Sequence, residues 1–204
     1  MIQGSDEWLA LRCGKFTASR FSDLMARTKT GPSASRANLI ALLAVERLTG
    51  KPAETYQNAA MARGTELEPE ARIAYEQRIG TLVEESAFVV HPSLPYVGMS
   101  PDGMVGDDGL IEIKCPGAAK HIEALRRGAH AVDYRWQIQG QMWVSGRKWC
   151  DAVSYHPDFP EHLRLAITRV ERDEIAIGEL EKACIEAEAE VCAIVDELNN
   201  MEKS

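Results

Sequence analysis

Two carboxylates and a lysine fall close together near the middle of the chain. Asp102 sits in Gly98-Met-Ser-Pro-Asp-Gly103, and Glu112 and Lys114 follow in Leu110-Ile-Glu-Ile-Lys114. Residues two apart on a strand project from the same face, so Glu112 and Lys114 stand side by side. Asp102, at the turn before the preceding strand, folds over beside them. The interleaved Leu110, Ile111 and Ile113 place Glu112 and Lys114 on the less buried face of a sheet whose other face is core. An exposed Glu/Lys pair contributes only about 0–1 kcal/mol to stability, which leaves the trio little structural purpose. Phosphodiester hydrolysis has a use for it. Carboxylates hold Mg²⁺, a hard ion that polarises a phosphoryl group and lowers the pKa of a bound water. The lysine orients or deprotonates that water, or stabilises the developing negative charge.

Other chemistries have less support. The five cysteines include no C-x-x-C pair, and the five histidines include no closely spaced pair, so neither a disulfide framework nor a zinc site is expected. The isolated histidines and Cys115, followed by the strand-ending Pro116, read as structural. The net charge of −8 argues against a nucleic-acid partner until it is divided along the chain. Residues 171–204 hold 11 acids and 3 bases, so the remainder is neutral. Within it, Arg12, Lys15, Arg20, Arg27, Lys29 and Arg36 face a single acid, Asp23, which makes a candidate phosphate-facing patch. A solvated helix face is the plainer account of that run. No apolar stretch is long enough for a membrane span and the N-terminus lacks the pattern of a signal peptide, so a cytoplasmic protein is expected.

The elements that must position the trio read as follows. A helix starts at Asp6 behind a Ser5 cap and stops at Gly14; a second starts at Ala18 with Thr17 as its cap. After a loop over Thr28 to Ser35, a helix runs from Arg36 to Thr49 and stops at Gly50, and another runs from Glu66 to Arg78. Short extended runs at Thr81–Val90, Tyr96–Met99, Gly103–Val105 and Leu110–Lys114 predict a small antiparallel sheet. Helices at Ala119–Arg127 and Asp133–Trp143, strands at Cys150–His156 and Leu163–Val170, and a long acidic amphipathic helix over residues 173–199 complete a single α+β domain over 1–204.

Five collinear segments, spanning roughly residues 3 to 172, together resemble the lambda exonuclease family, the YqaJ-type viral recombinase nucleases of the PD-(D/E)xK superfamily. They are Gln3-Gly-Ser-Asp-Glu-Trp8 with Leu11-Arg12; Thr17-Ala-Ser19; Arg63-Gly-Thr-Glu-Leu-Glu-Pro-Glu-Ala-Arg72; Ser100-Pro-Asp-Gly103 with Glu112-Ile-Lys-Cys-Pro116; and Gln137-Ile-Gln-Gly-Gln-Met-Trp143. The resemblance implies a restriction-endonuclease-like fold with a central mixed sheet flanked by helices. It implies that Asp102, Glu112 and the main-chain carbonyl of Ile113 ligate Mg²⁺, with Glu68 completing a two-metal site and Mn²⁺ as a substitute. Lys114 becomes the catalytic lysine, Gln137 contacts the site from its helix, and Arg12, Ser19 and Ser100 bind the 5′-terminal phosphate of a DNA end.

The implied activity is a 5′→3′ exonuclease that digests one strand of linear double-stranded DNA to 5′-mononucleotides and leaves a 3′ tail. The implied setting is phage-type recombination in a bacterial cytoplasm, as a homotrimer with a single-strand annealing protein as partner. Alternatives at the residue level stay open. Thr65-x-x-Glu68 also reads as a capping box, with Pro69 suited to a first turn, and Gln137 with Gln141 as a solvated polar stripe. At the level of function the alternatives are a structure-specific endonuclease of the same superfamily and a non-catalytic DNA-end-binding module.

Overall fold

The computed structural model describes residues 3–29, 31–53 and 59–201. Helix α1 (Asp6–Arg12) begins where the Ser5 hydroxyl accepts a hydrogen bond from the Trp8 backbone N–H, as the sequence predicts. A two-residue strand β1 (Phe16–Thr17), a 3₁₀ turn over Ala18–Arg20 and helix α2 (Phe21–Met25) follow. The loop expected after them contains a small hairpin, β2 (Arg27–Thr28) and β3 (Gly31–Pro32). Helix α3 (Ala34–Thr49) starts two residues early because Ser33 caps it, and it stops at Gly50, whose φ of 63° is the left-handed conformation glycine tolerates.

Helix α4 (Ala59–Ile79) extends seven residues N-terminal to the predicted start, which puts Thr65, Glu68 and Pro69 in its interior. The Thr65 hydroxyl donates to the Met61 carbonyl one turn back, so the capping-box reading of Glu68 falls away. Strands β4 (Val83–Glu84), β5 (Val89–Val90), β6 (Val97–Met99), β7 (Gly103–Val105) and β8 (Gly109–Lys114) come next. Three helices follow, α5 (Ala118–Arg127), α6 (Ala129–Asp133) and α7 (Arg135–Ser145). Strands β9 (Trp149–Tyr155) and β10 (Leu165–Glu171) and the long helix α8 (Glu174–Met201) end the order.

The strands expected as one antiparallel sheet divide between two. β5 and β6 join β1 in a small sheet of order β1-β6-β5, with β1 and β6 parallel. The larger sheet has the order β10-β9-β8-β7-β4. It is mixed, because the run α5–α6–α7 carries the chain over one face and returns it so that β9 lies parallel to β8, from Gly109 opposite Trp149 to Lys114 opposite Ser154.

Both faces of this sheet are covered. Alternation along β8 sends Ile111 and Ile113 into an apolar cluster with Ala71 and Tyr75 of α4, and Leu110 into another with Ile138 and Met142 of α7. Glu112 shares the face of Leu110 and is only 2% exposed. The expected less buried face is therefore roofed by α7. A third cluster packs Phe21, Leu43, Met99, Trp143 and Leu180 between α2, α3, α7, α8 and the small sheet. Two arginine pairs fasten α8 to α3: Arg36 with Glu190 at 2.7 Å and Arg47 with Glu188 at 2.6 Å.

Candidate active site

β7 pairs with β8 only as far as Gly103 opposite Ile111, so the N–H groups of β8 beyond that point lose their ladder partner on this side. The Asp102 carboxylate substitutes for it, accepting the Ile113 N–H at 2.7 Å. This is how the Pro-Asp-Gly turn brings Asp102 beside Glu112 and Lys114. Arg63 of α4 fastens the strand's far end by donating to the carbonyls of Cys115 and Pro116 at 3.2 and 3.3 Å. Burial pushes the Cys115 thiol up to about 11, so it stays protonated at neutral pH.

Glu112 is held from three sides. Its Oε1 accepts from Lys114 Nζ and from the Gln137 amide, each at 2.5 Å, and its Oε2 accepts from the Gln141 amide at 2.5 Å. Gln137 and Gln141 lie one turn apart on α7 and point into the site, so the solvated-stripe reading does not hold; Gln141 is fully buried. The Lys114 ammonium also lies 4.7 Å from the centre of the Tyr134 ring.

Glu68 reaches this region from α4, where it pairs with Arg72 at 2.8 Å; the other arm of Arg72 holds Glu85. Burial pushes the Glu68 carboxyl up, Arg72 opposes this, and Glu112 adds to it. The Asp102 carboxyl is pushed well above the usual range by burial and then by Glu112. Burial pulls the Lys114 ammonium down, but Glu112 and Asp102 together outweigh it and raise it.

The donor set suits a hard divalent ion, since the Asp102 and Glu68 carboxyls, both raised by burial and by the neighbouring Glu112 charge, are relieved by a nearby cation. Among the described residues no three His, Cys, Asp or Glu side chains meet closely enough to enclose an ion as they stand. Glu68 is turned to Arg72, and the Glu112 oxygens are engaged by amide and ammonium groups.

The second cluster forms around Arg12. Its guanidinium lies 4.0 Å over the Trp8 ring and reaches the hydroxyls of Ser100, Thr17 and Ser19 at 3.5, 3.4 and 3.3 Å. The Trp8 indole N–H donates to Ser100 at 2.9 Å. Thr17, expected as a helix cap, makes no capping bond, and its hydroxyl belongs to this cluster instead. Among the described residues no carboxylate forms an ion pair with Arg12, not even Asp6 and Glu7 of its own helix, with which a purely structural arginine would pair. Burial, then the charge of Arg20, lower the Arg12 guanidinium to about 10, with Glu46 acting in the opposite direction. A desolvated cation ringed by hydroxyls at long distance is suited to receive an anion.

One cleft of about 920 Å³ joins the two clusters: its walls include Arg12, Ser19, Thr65, Glu68, Arg72 and Asp102. Lys15 and Arg20 from the basic stretch also line it, whereas Arg36 is turned away to Glu190.

The histidines stay structural. His121 is fully buried between Ser154 and the Leu163 carbonyl, and His130 bonds the Ala152 carbonyl at 2.7 Å. Residues given no role from the sequence but placed at the site are Gln141, Tyr134, Arg72 and Trp8. The i, i+4 spacing of the two glutamines and the presence of Trp8, Arg72 and Gln141 within the resembling segments were the usable signals; Tyr134 had none.

The family model of the YqaJ-like viral recombinase domain matches residues 7–148, a span that contains both clusters. The chain belongs to the YqaJ-like viral recombinase family. Among solved structures, this YqaJ-like chain is similar to an alkaline exonuclease, LHK-Exo, from Laribacter hongkongensis. The identity is 45%, the TM-score 0.90 and the coverage 98% of each chain. The same values hold for LHK-Exo in complex with dAMP. A phage related exonuclease from Haemophilus somnus 129PT superposes with a TM-score of 0.75 at 16% identity, covering 90% of this chain and 96% of that one, a likeness of fold. A search of curated proteins finds no match to this YqaJ-like chain. No described helix is long and apolar enough to cross a membrane.

Proposed function

We propose that the chain is an Mg²⁺-dependent 5′→3′ exonuclease that removes 5′-mononucleotides from one strand of linear duplex DNA. The 3′ single strand it leaves would serve recombination by strand annealing, in a phage or prophage setting. The observation that carries this reading is one cleft with Asp102 at one end and, at the other, a hydroxyl-ringed arginine that no described carboxylate pairs with. Similarity to an alkaline exonuclease supports it.

In this reading Arg12, with Ser19, Ser100 and Thr17, binds the 5′-terminal phosphate and thereby sets which phosphodiester reaches Asp102, Glu112 and Lys114. Asp102, Glu112, Glu68 and the Ile113 carbonyl are the oxygens that would hold one or two Mg²⁺ ions, with Mn²⁺ as a substitute. A bound ion supplies polarisation of the phosphoryl group and acidifies a water. Glu112 and Asp102 hold Lys114 protonated, which suits it to stabilise negative charge on the phosphoryl oxygens. Gln137 orients Glu112 Oε1. A homotrimeric assembly, a single-strand annealing partner and a bacterial cytoplasm belong to the same proposal.

The test is digestion of linear duplex DNA labelled at either end and bearing 5′-phosphate or 5′-hydroxyl, with Mg²⁺ or chelator, beside closed circular DNA. The expected result is Mg²⁺-dependent release of mononucleotides from the 5′-phosphorylated end with the circle intact. Cutting of the circle would establish an endonuclease instead. Binding without cleavage under any divalent metal would leave a DNA-end-binding module.

A further inference from the structure

Gln141 is fully buried on α7, on a helix whose neighbouring positions Ile138 and Met142 are fully buried too. Its amide nitrogen donates to Glu112 Oε2, while its amide oxygen has no hydrogen-bond partner among the described residues. A buried carbonyl without a donor is unfavourable, and methionine would fill the same volume without that penalty. The residue type at this position is therefore explained by its donor end alone. The helix around it is fixed: a Cβ on Gly140 would lie 2.2 Å from the Phe21 ring, so α7 is seated directly on α2. By contrast Lys114 and Gln137, the partners of Oε1, are both partly exposed.

The two oxygens of Glu112 thus differ in kind: Oε2 is tied to an immobile interior amide and Oε1 to groups on the open side. We propose that Gln141 is a positioning residue that anchors Glu112 Oε2 from the interior, so that Oε1 is the oxygen presented to a divalent cation. The inference rests on the metal-dependent nuclease reading and specifies how its site is preformed. An anchor behind a metal ligand of this kind typically changes affinity by about ten- to a hundredfold when removed.

The experiment compares the parent chain with Gln141→Met by calorimetric titration of Mn²⁺ into DNA-free protein, with thermal unfolding in chelator alongside. Mn²⁺ affinity is expected to fall about ten- to a hundredfold. The unfolding midpoint in chelator should fall by only a few degrees, because the loss of a donor at Glu112 Oε2 is partly offset by removal of the unpartnered Gln141 carbonyl; the cleavage rate lost at low metal should return at high metal with KM for DNA unchanged. Equal Mn²⁺ affinity in parent and variant overturns the inference while leaving the nuclease reading intact; absence of Mn²⁺ binding by the parent overturns both. A second measurement needs no variant. The Gln141 side-chain amide resonance of the parent should move on Mg²⁺ titration, and an unmoved resonance overturns the anchor.

Discussion

If Arg12 holds the 5′-terminal phosphate as proposed, replacing it by methionine should separate end recognition from cleavage. The guanidinium makes long contacts to three hydroxyls, stacks on Trp8 and lies 5.8 Å from the centre of the Phe88 ring, and no described acid pairs with it. The folded protein accordingly loses little: a cation–π contact of about 0.5–1 kcal/mol is set against relief of a desolvated charge. That corresponds to a midpoint shift of about 2–4 °C at most for a chain of this size. The DNA-bound state loses much more. A charge-assisted hydrogen bond to a phosphate contributes about 1.5–3 kcal/mol, roughly a ten- to hundredfold change in rate. Because that loss applies only where a terminal phosphate is present, Arg12→Met should reduce the preference for 5′-phosphate over 5′-hydroxyl ends by this factor. The rate on 5′-hydroxyl ends should stay near the parent's. Paired digestions of the two substrates, with initial mononucleotide release as the readout, measure the ratio directly. A variant that slows both ends equally, or one that keeps the parent's ratio, would refute the phosphate pocket.

Three further outcomes are expected. Gly140→Ala drives a methyl group into Phe21, with Leu180 at 3.2 Å behind it; this overpacking should cost about 1–3 kcal/mol, visible as a lowered midpoint in calorimetry. Glu46→Ala removes the acceptor for the Gly14 N–H at 2.6 Å and the Ala53 N–H at 3.1 Å. Stranding the buried Gly14 donor should cost about 1–3 kcal/mol and loosen the turn behind Arg12, read as a lower midpoint with a weakened 5′-phosphate preference.

The raised Asp102 and Glu68 carboxyls mean that the folded state binds more protons than the unfolded state once pH exceeds the ordinary carboxylate range. Metal-free stability is then fullest below that range and falls as pH rises through the raised values. Unfolding midpoints in chelator should decline over that window and recover on Mg²⁺ addition, and Asp102→Asn should flatten the profile.

The placement of Asp102, Glu112 and Lys114 was legible because a short motif on one strand and its preceding turn needs only local geometry. So were the capped start of α1 and the glycine stop of α3. What stayed hidden depends on distant partners. A two-residue strand such as Phe16–Thr17 carries no periodicity, and its parallel pairing with β6 arises only in the folded chain. The parallel pairing of β8 with β9 required knowing where three helices would return the chain, and with it went the burial of Glu112. Gln141 looked like half of a wet stripe because i, i+4 spacing gives a face without saying what that face meets. Thr65 and Pro69 imitated a helix start; proline inside α4 costs a hydrogen bond to the Thr65 carbonyl, and the rest of a 21-residue helix tolerates it.

The attachment of Arg36 to Glu190 reaches into the ionic-strength dependence of DNA binding. Of the six cations in the stretch from Arg12 to Arg36, this one is already neutralised by the protein's own C-terminal helix. It displaces no condensed counterions when a duplex arrives. Of the remaining five, Arg12, Lys15 and Arg20 line the cleft, whereas Arg27 borders a separate groove beside α8. Each phosphate neutralised contributes about 0.9 to the slope of log affinity against log salt. Three cleft cations then contribute about −2.7 to that slope, and all five about −4.5. In a protein whose overall charge is negative, this stretch would thus set a modest, local share of the salt sensitivity of DNA binding.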